Sequence, residues 1–331
     1  MDAHRITLAS KPGASLAAYT YTPRASAELP SPLGKTLVVF LNGLVSPQSS
    51  WKATIDLLLQ NDQQYLPALL TYDRYGQGES DPDPTDPPNT PYGHDATAVV
   101  EDLYQLLGQV CSDVLHLRAP GESSNTRLVF VCNSIGCVQA RLYAVAHPGT
   151  VCGFLFLDSM MANSDFVSVF PDPDAADFDP SKLPQGVSIE EIRYSREQYR
   201  KFFHPTVPNP ERFDRRDMQQ RLPFADKPLL PAGPDGSHPL LTVVGHDFDR
   251  FAQDGLEGFM AIPKAVTNAY MNPVWHAYNQ GLTRLTGRKD APTEPIIVGG
   301  CGHVIQKDSP SFVANQIHIL LDRLCADIAS V

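Results

Sequence analysis

Four unbroken apolar residues, Leu128 to Val131, run into Cys132-Asn133-Ser134, and from Ile135 to Ala146 the apolar positions switch to helical spacing with no turn sequence between. That change of period predicts a buried strand passing directly into a helix. The same kind of apolar run predicts strands over residues 5–8, 16–22, 36–41, 67–73, 127–132, 153–157, 239–244 and 295–299. Between them, Val99, Val100, Leu103, Leu106, Leu107 and Val110 recur at helical spacing and predict a helix over Asp95–Val110. Strands alternating with helices imply an α/β fold, a mostly parallel sheet flanked by helices on both faces.

Two stretches break the alternation early. Asp81–Tyr92 carries five prolines and Ser112–Thr126 is polar with a Pro-Gly pair, so both read as surface loops. A longer break follows Asp158. From Ser159 to Ser237 prolines and aspartates cluster around one amphipathic segment, SIEEIRYSREQYRKFF, in which Ser188 and Glu191 have the spacing of a capping box. Because further strands follow it, this stretch is expected to be an insertion of largely helical character, a lid over residues 159–237. The core would then comprise residues 1–158 and 238–331.

Composition adds bounds. A chain of 331 residues with 42% hydrophobic and 19% charged residues can bury a large core. No apolar run reaches the roughly 20 residues of a spanning helix, so no membrane partner is expected. The stretch MDAHRITLASKPG lacks the apolar run of a secretion signal, which makes a cytoplasmic location the expectation. A net charge of -11 with no basic block argues against nucleic acid. Six cysteines lie scattered without CxxC pairing, so neither disulfides nor a zinc site is expected. Gly76-x-Gly78 lacks both the Lys-Ser/Thr of a phosphate loop and the third glycine of a dinucleotide fingerprint, and no cofactor or metal is expected. The remaining partner is a small molecule, apolar or aromatic, with a homodimer allowed for.

Ser134 between a strand and a helix could be a plain N-cap. Its neighbourhood points further: the residues two before and two after it, Cys132 and Gly136, are small. A serine held in a strained strand-to-helix turn needs that, since larger side chains there would collide with the adjoining elements. Cys132 occupies a position where glycine is more usual.

With that motif the sequence resembles the α/β-hydrolase superfamily, and three further segments carry the resemblance in the right order. LVVFLNGLVSPQSSW is similar to the third strand and oxyanion loop, LLTYDRYGQGESD to the fourth strand and its turn, and IIVGGCGHVIQKDSPSFVANQI to the last strand, histidine loop and closing helix. The resemblance implies an eight-stranded α/β-hydrolase fold with a helical lid. It also implies a Ser-acid-His order in which Ser134 is the nucleophile and His303 the base that takes its proton. Backbone N–H groups of Leu44 and Ile135 would form the oxyanion hole, with Asn42 and Gly43 supporting the loop and Trp51 packed beneath it. Cys301, close to His303, reads as a buried inert thiol rather than a rival nucleophile.

Two places offer an acid. LLTVVGHDFD supplies Asp247 and Asp249 after the seventh strand, and FLFLDSM supplies Asp158 after the sixth. The stretch NPVWHAYNQGLTRLTG resembles members that use the earlier position, which favours Asp158. The expected function is a serine hydrolase cleaving an ester, lactone or related acyl bond through an acyl-enzyme. The serine argues against the epoxide hydrolase and dehalogenase branches, which carry aspartate at this turn. Alternatives are hydrolysis of a carbon–carbon bond in a β-diketone-like compound, or a ligand-binding or non-hydrolytic cyclisation protein on the same fold. Phe166, Phe170, Tyr194, Tyr199, Phe202 and Phe203 are the candidate apolar contacts for the ligand.

Overall fold

The computed structural model describes residues 1–23, 33–61, 66–121 and 126–329. Its centre is an eight-stranded sheet in the order β1-β2-β4-β3-β5-β6-β7-β8. The strands are β1 (Asp2–Thr7), β2 (Ser15–Tyr21), β3 (Thr36–Leu41), β4 (Ala68–Tyr72), β5 (Arg127–Ser134), β6 (Val151–Ser159), β7 (Leu240–Gly245) and β8 (Ile296–Ile297). β1 pairs antiparallel with β2, and β2 with β4; every later pairing is parallel. β3, β6 and β7 are buried along their whole length. Strands covered on both faces read as continuous apolar runs, which is why their positions are visible in the sequence.

One apolar cluster lies on the side of the sheet covered by the helices Ala96–Gln109 and Ile135–Ala146. The other lies under Lys52–Asn61 and Pro310–Ala329. Ala96–Gln109 is capped by Asp95, whose side chain accepts from the Ala98 N–H at 2.9 Å. It runs on into a wider helical turn over Val110–Val114, so part of the second polar loop is helical. Residues 122–125 of that loop lie outside the described residues. The proline-rich loop has no regular structure but is not wholly superficial, since Asp83 within it is buried.

The segment after β6 departs from the expectation of a largely helical insertion. Within residues 159–237 the helical elements are Pro180–Lys182, Ile189–Phe202 and Met218–Arg221, and the rest is turns and extended chain. Prolines remove the N–H groups that longer helices need, and side chains of Asp165, Asp172 and Asp179 accept from backbone N–H groups in local turns instead. Ile189–Phe202 itself forms as the sequence implies, with both bonds of the Ser188–Glu191 capping box present.

Candidate active site

Both pivotal residues of the site sit where strands end abnormally. Ser134 closes β5 at φ +56° and ψ -122°, and its hydroxyl makes no capping bond to the helix Ile135–Ala146. A non-glycine residue in that backbone region is strained, which scaffolds retain mainly at functional sites. Gly136 permits the turn: a Cβ there would lie 2.3 Å from the Leu41 carbonyl oxygen. Cys132, two residues before Ser134, is fully buried.

Asp158, one residue before the end of β6, is placed in a comparable way. Along the β5–β6 ladder Asn133 faces Leu157 and Ser134 faces Ser159, so Asp158 is the extra residue of a bulge. Its φ is +43°. Bulges redirect a side chain out of the normal alternation, and this one aims a fully buried carboxylate at two imidazoles. Its Oδ2 lies 2.6 Å from His303 Nδ1, and its Oδ1 lies 2.9 Å from His246 Nδ1 and 3.1 Å from Asn279 Nδ2.

His246 is the member of this group that the sequence reading overlooked. It follows Gly245 at the end of β7, immediately before the two aspartates weighed as alternative acids. Its protonation follows from its partners. The Asn272 amide nitrogen donates to the Phe248 carbonyl at 3.0 Å, so the amide oxygen is the atom 3.1 Å from His246 Nε2. Nε2 must therefore carry hydrogen, and Nδ1, facing a carboxylate, must carry one too. His246 is an imidazolium. Burial opposes that charge, but the Asp158 carboxylate and the Asn272 hydrogen bond outweigh it and raise the pKa. Burial likewise opposes ionisation of Asp158, and the two histidines outweigh it, holding the carboxyl well below the usual carboxylate range.

Asp247 and Asp249 do other things. Asp247 caps the helix Phe248–Glu257 by accepting from Arg250 N–H at 3.0 Å, and its other oxygen accepts from Gly300 N–H at 3.0 Å. Asp249 lies in the first turn of that helix. The His303 loop is fastened by Asn133, whose amide donates to the His303 carbonyl at 3.0 Å. The Trp275 ring stands edge-on to the His303 ring, with centroids 5.2 Å apart.

Leu44, Ser134 and His303 line one cavity of about 460 Å³, whose remaining walls are largely apolar. Ile135 adjoins it as the first residue of its helix, where a backbone N–H has no intrahelical partner. The loop bearing Leu44 is held by a buried polar network. Arg74 donates to the Asn42 carbonyl at 2.8 Å and the Gly43 carbonyl at 2.9 Å, and pairs with Glu211 at 2.9 Å. Trp51 packs beneath the loop and donates to Asn42 Oδ1 at 2.8 Å. Glu211 also accepts from Val45 N–H. Nothing in the sequence around Glu211 signals this role, because its partners lie far away along the chain.

Of the six aromatic residues singled out between β6 and β7, Phe166, Tyr199 and Phe203 line the cavity. Phe170 packs behind them with its ring centroid 5.2 Å from that of Tyr199, Phe202 packs on Phe259, and the Tyr194 hydroxyl donates to the Met260 carbonyl. The Cys301 thiol is pushed up by burial, which leaves it protonated. Among the described residues, the group with metal-like proximity is Asp83, Asp86 and His94, whose ligand atoms lie within 4.8 Å of one another. No helix among the described residues is long and apolar enough to cross a membrane.

Residues 38–316 match the profile of the Alpha/beta hydrolase family. Among solved structures, a thermophilic esterase from Thermogutta terrifontis, with malate bound, is 16% identical with a TM-score of 0.54, covering 98% of this chain and 99% of that one. Alpha/beta hydrolase domain-containing protein 10 from mouse is 12% identical with a TM-score of 0.55, over 98% and 100% of the two chains. A Vigna radiata epoxide hydrolase mutant is 14% identical with a TM-score of 0.54, over 97% and 98%. No curated protein sequence matches significantly. At these identities the structural likeness speaks for the fold alone, while the profile spans most of the chain. The chain belongs to the alpha/beta hydrolase family.

Proposed function

We propose that this protein is a serine hydrolase that cleaves an ester, lactone or related acyl bond of a small, largely apolar substrate. The observation that carries this reading is the 2.6 Å contact from Asp158 Oδ2 to His303 Nδ1, at a cavity where Ser134 presents an uncapped hydroxyl. Asp158 fixes the histidine tautomer with hydrogen on Nδ1, which leaves Nε2 free to accept the Ser134 proton. As Ser134 Oγ bonds to the carbonyl carbon, the carbonyl π electrons move to its oxygen. The Leu44 and Ile135 N–H groups stabilise that oxyanion. Collapse of the tetrahedral adduct breaks the bond to the leaving group, which takes the proton from His303, and water then repeats the sequence on the acyl-enzyme.

The segment over residues 159–237 acts as a lid. Its Met160, Phe166, Tyr199, Phe203 and Arg215 line the cavity that Ser134 also lines, and excluding water there strengthens the oxyanion interactions. A fluorophosphonate probe tests the reading, because it reacts only with an activated serine. Covalent labelling of the native protein that disappears in Ser134→Ala is the expected result. Folded wild-type protein that resists labelling would instead favour a ligand-binding role on this fold.

A further inference from the structure

Arg215 differs from the other charged side chains in the cavity wall. Arg250 pairs with Asp254 at 2.7 Å, Asp308 accepts from the Gly302 N–H at 2.8 Å, and Lys307 is exposed to water. Arg215 is only 5% exposed and has no carboxylate at ion-pair distance among the described residues. The nearest acids in sequence are committed elsewhere, Asp214 to Arg216 at 2.7 Å and Glu211 to Arg74 at 2.9 Å. What the guanidinium has instead are three long bonds to neutral backbone carbonyls, those of Phe203 (3.4 Å), His204 (3.3 Å) and Val207 (3.2 Å). Its Nε–H is buried with no partner at all.

A buried cation that touches only neutral carbonyls, with Glu211 and Asp214 acting on it from beyond contact, keeps much of its desolvation cost unless a ligand supplies an anion. Arg215 stays charged at any physiological pH. Arg74, only slightly better buried, shows what this fold does with a structural arginine: it receives both oxygens of Glu211. Arg215 lines the same cavity as Ser134, His303 and Trp275, so the anion can come from a ligand lying against those residues. Bonds to neutral carbonyls as long as these are weak, so an Nη–H of Arg215 can be exchanged from a carbonyl to a carboxylate in the cavity, where the bond becomes charge-assisted.

We propose that Arg215 is a substrate-recognition residue, and that the acyl compound this site takes has an apolar body bearing one carboxylate, which the guanidinium binds. This rests on the cavity being the substrate site of the hydrolase reading above. One cation offsets one charge, so a monoanion fits better than a dianionic phosphate. The remainder of the wall, Met160, Phe166, Tyr199, Phe203 and Trp275 among it, suits the apolar body.

The test separates binding from catalysis by using Ser134→Ala protein and two ligands of nearly equal shape, 4-phenylbutyrate and its neutral amide, measured by calorimetry at low salt. A charge-assisted pair in a desolvated wall gives the acid a preference of about ten- to a hundredfold over the amide. Arg215→Met in the same background should reduce the acid to the level of the amide, and Arg215→Lys should keep part of the preference. The wild-type wall alone can overturn the proposal: equal binding of acid and amide, or no binding of either at millimolar concentration, rules it out. A preference that survives Arg215→Met in folded protein rules it out as well, by assigning the anion to Lys307 or Arg250. Fluorophosphonate labelling of Ser134 is unaffected by either outcome, so failure here is distinguishable from failure of the serine-hydrolase reading.

Discussion

Two of the clusters of buried charge among the described residues differ in what surrounds them. At one, Asp158 meets His246 and His303 at the end of β6. At the other, Lys11 donates to Asp83 at 2.5 Å and to Asp102 at 2.6 Å, with His94 beside Asp86 at 3.2 Å. Both are ion-paired, and burial works against the charges in both. The second cluster staples the proline-rich loop to the helix Ala96–Gln109 and to the turn after β1, and none of Lys11, Asp83, Asp86 and Asp102 lines the cavity. The first stands on a backbone bulge with positive φ, and one of its histidines faces the cavity. Buried charge alone therefore says little about function; strain in the backbone that carries it and access to a cavity distinguish the two.

Substitutions at the first cluster and its serine should produce the largest effects. Ser134→Ala and His303→Ala are each expected to lower turnover by several orders of magnitude without unfolding the protein, as for members of one catalytic unit. Asp158→Asn should lose about three to four orders of magnitude through the wrong histidine tautomer. Steady-state rates beside a circular-dichroism melt decide the matter, and near-normal turnover in a folded Ser134→Ala protein would defeat the mechanism.

The contrasting substitution is Lys11→Met. It leaves Asp83 and Asp102 buried without their ammonium, a loss of about 3 to 5 kcal/mol when one partner of a buried pair is removed. Turnover per folded molecule should stay within about twofold of wild type, since additivity holds for sites that share no partners. Denaturant titration paired with active-site titration measures both quantities. A Lys11→Met protein of wild-type stability, or one that is stable and inactive, would erase the distinction between the clusters.

How much of this was legible in the sequence follows the same division. The strand-turn-helix around Ser134 and the apolar runs of β3, β5, β6 and β7 are local patterns, so each declares itself within a dozen residues. Asp158, weighed against Asp247 and Asp249, and His303 became candidates through the resemblance to the family rather than through any local pattern, and they lie 2.6 Å apart. His246 was missed although it lies between Gly245 and Asp247, because its meaning depends on Asn272 and Asp158 arriving from other elements. Glu211 and Arg215 were invisible for the same reason: within a proline-rich stretch, no period says which side chain turns inward. The expectation of a largely helical insertion failed where local aspartate turns and prolines prevailed over the one good amphipathic pattern.

His246→Asn should give an intermediate effect and sharpen the account of the first cluster. Asp158 keeps Asn279 and His303, so a fall in turnover of about three- to thirtyfold is expected, in the range of supporting hydrogen-bond partners. The stability change should depend on pH with a definite sign. A histidine whose folded pKa is raised contributes stability that is complete below its unfolded value, about 6.5, and disappears as pH rises through the folded value. The gap between wild type and His246→Asn, measured by urea unfolding, should thus be widest below about pH 6.5 and narrow above it. A gap that stays flat from acid to alkaline conditions would show that folding leaves the His246 pKa unshifted, and a gap that widens as pH rises would show that the ring is neutral in the folded protein.

The smallest effect expected is none, and it concerns the second cluster. Asp83, Asp86 and His94 lie close enough together to suggest a metal site, yet the atoms that face one another, the Asp83 oxygens and His94 Nδ1, are already engaged, and only His94 Nε2 has no partner among the described residues. Asp83 Oδ2 receives the Lys11 ammonium, and Oδ1 accepts from the Thr85 N–H at 2.9 Å and hydroxyl at 2.7 Å. His94 Nδ1 is 3.2 Å from Asp86 Oδ1 and 3.6 Å from Asp83 Oδ2, so it must carry its hydrogen and has no lone pair to offer. A divalent ion entering there would have to displace an ammonium held by two carboxylates and strip a proton from the ring. Calcium favours six or more oxygen ligands and zinc a deprotonated set, and neither condition is met while Lys11 is in place. Dialysis against EDTA should leave both the melting temperature and the turnover of ester substrates unchanged, and added zinc or calcium should not raise the melting temperature. A melting temperature that falls on chelation and recovers with one metal would overturn this assignment and make the cluster a structural cation site.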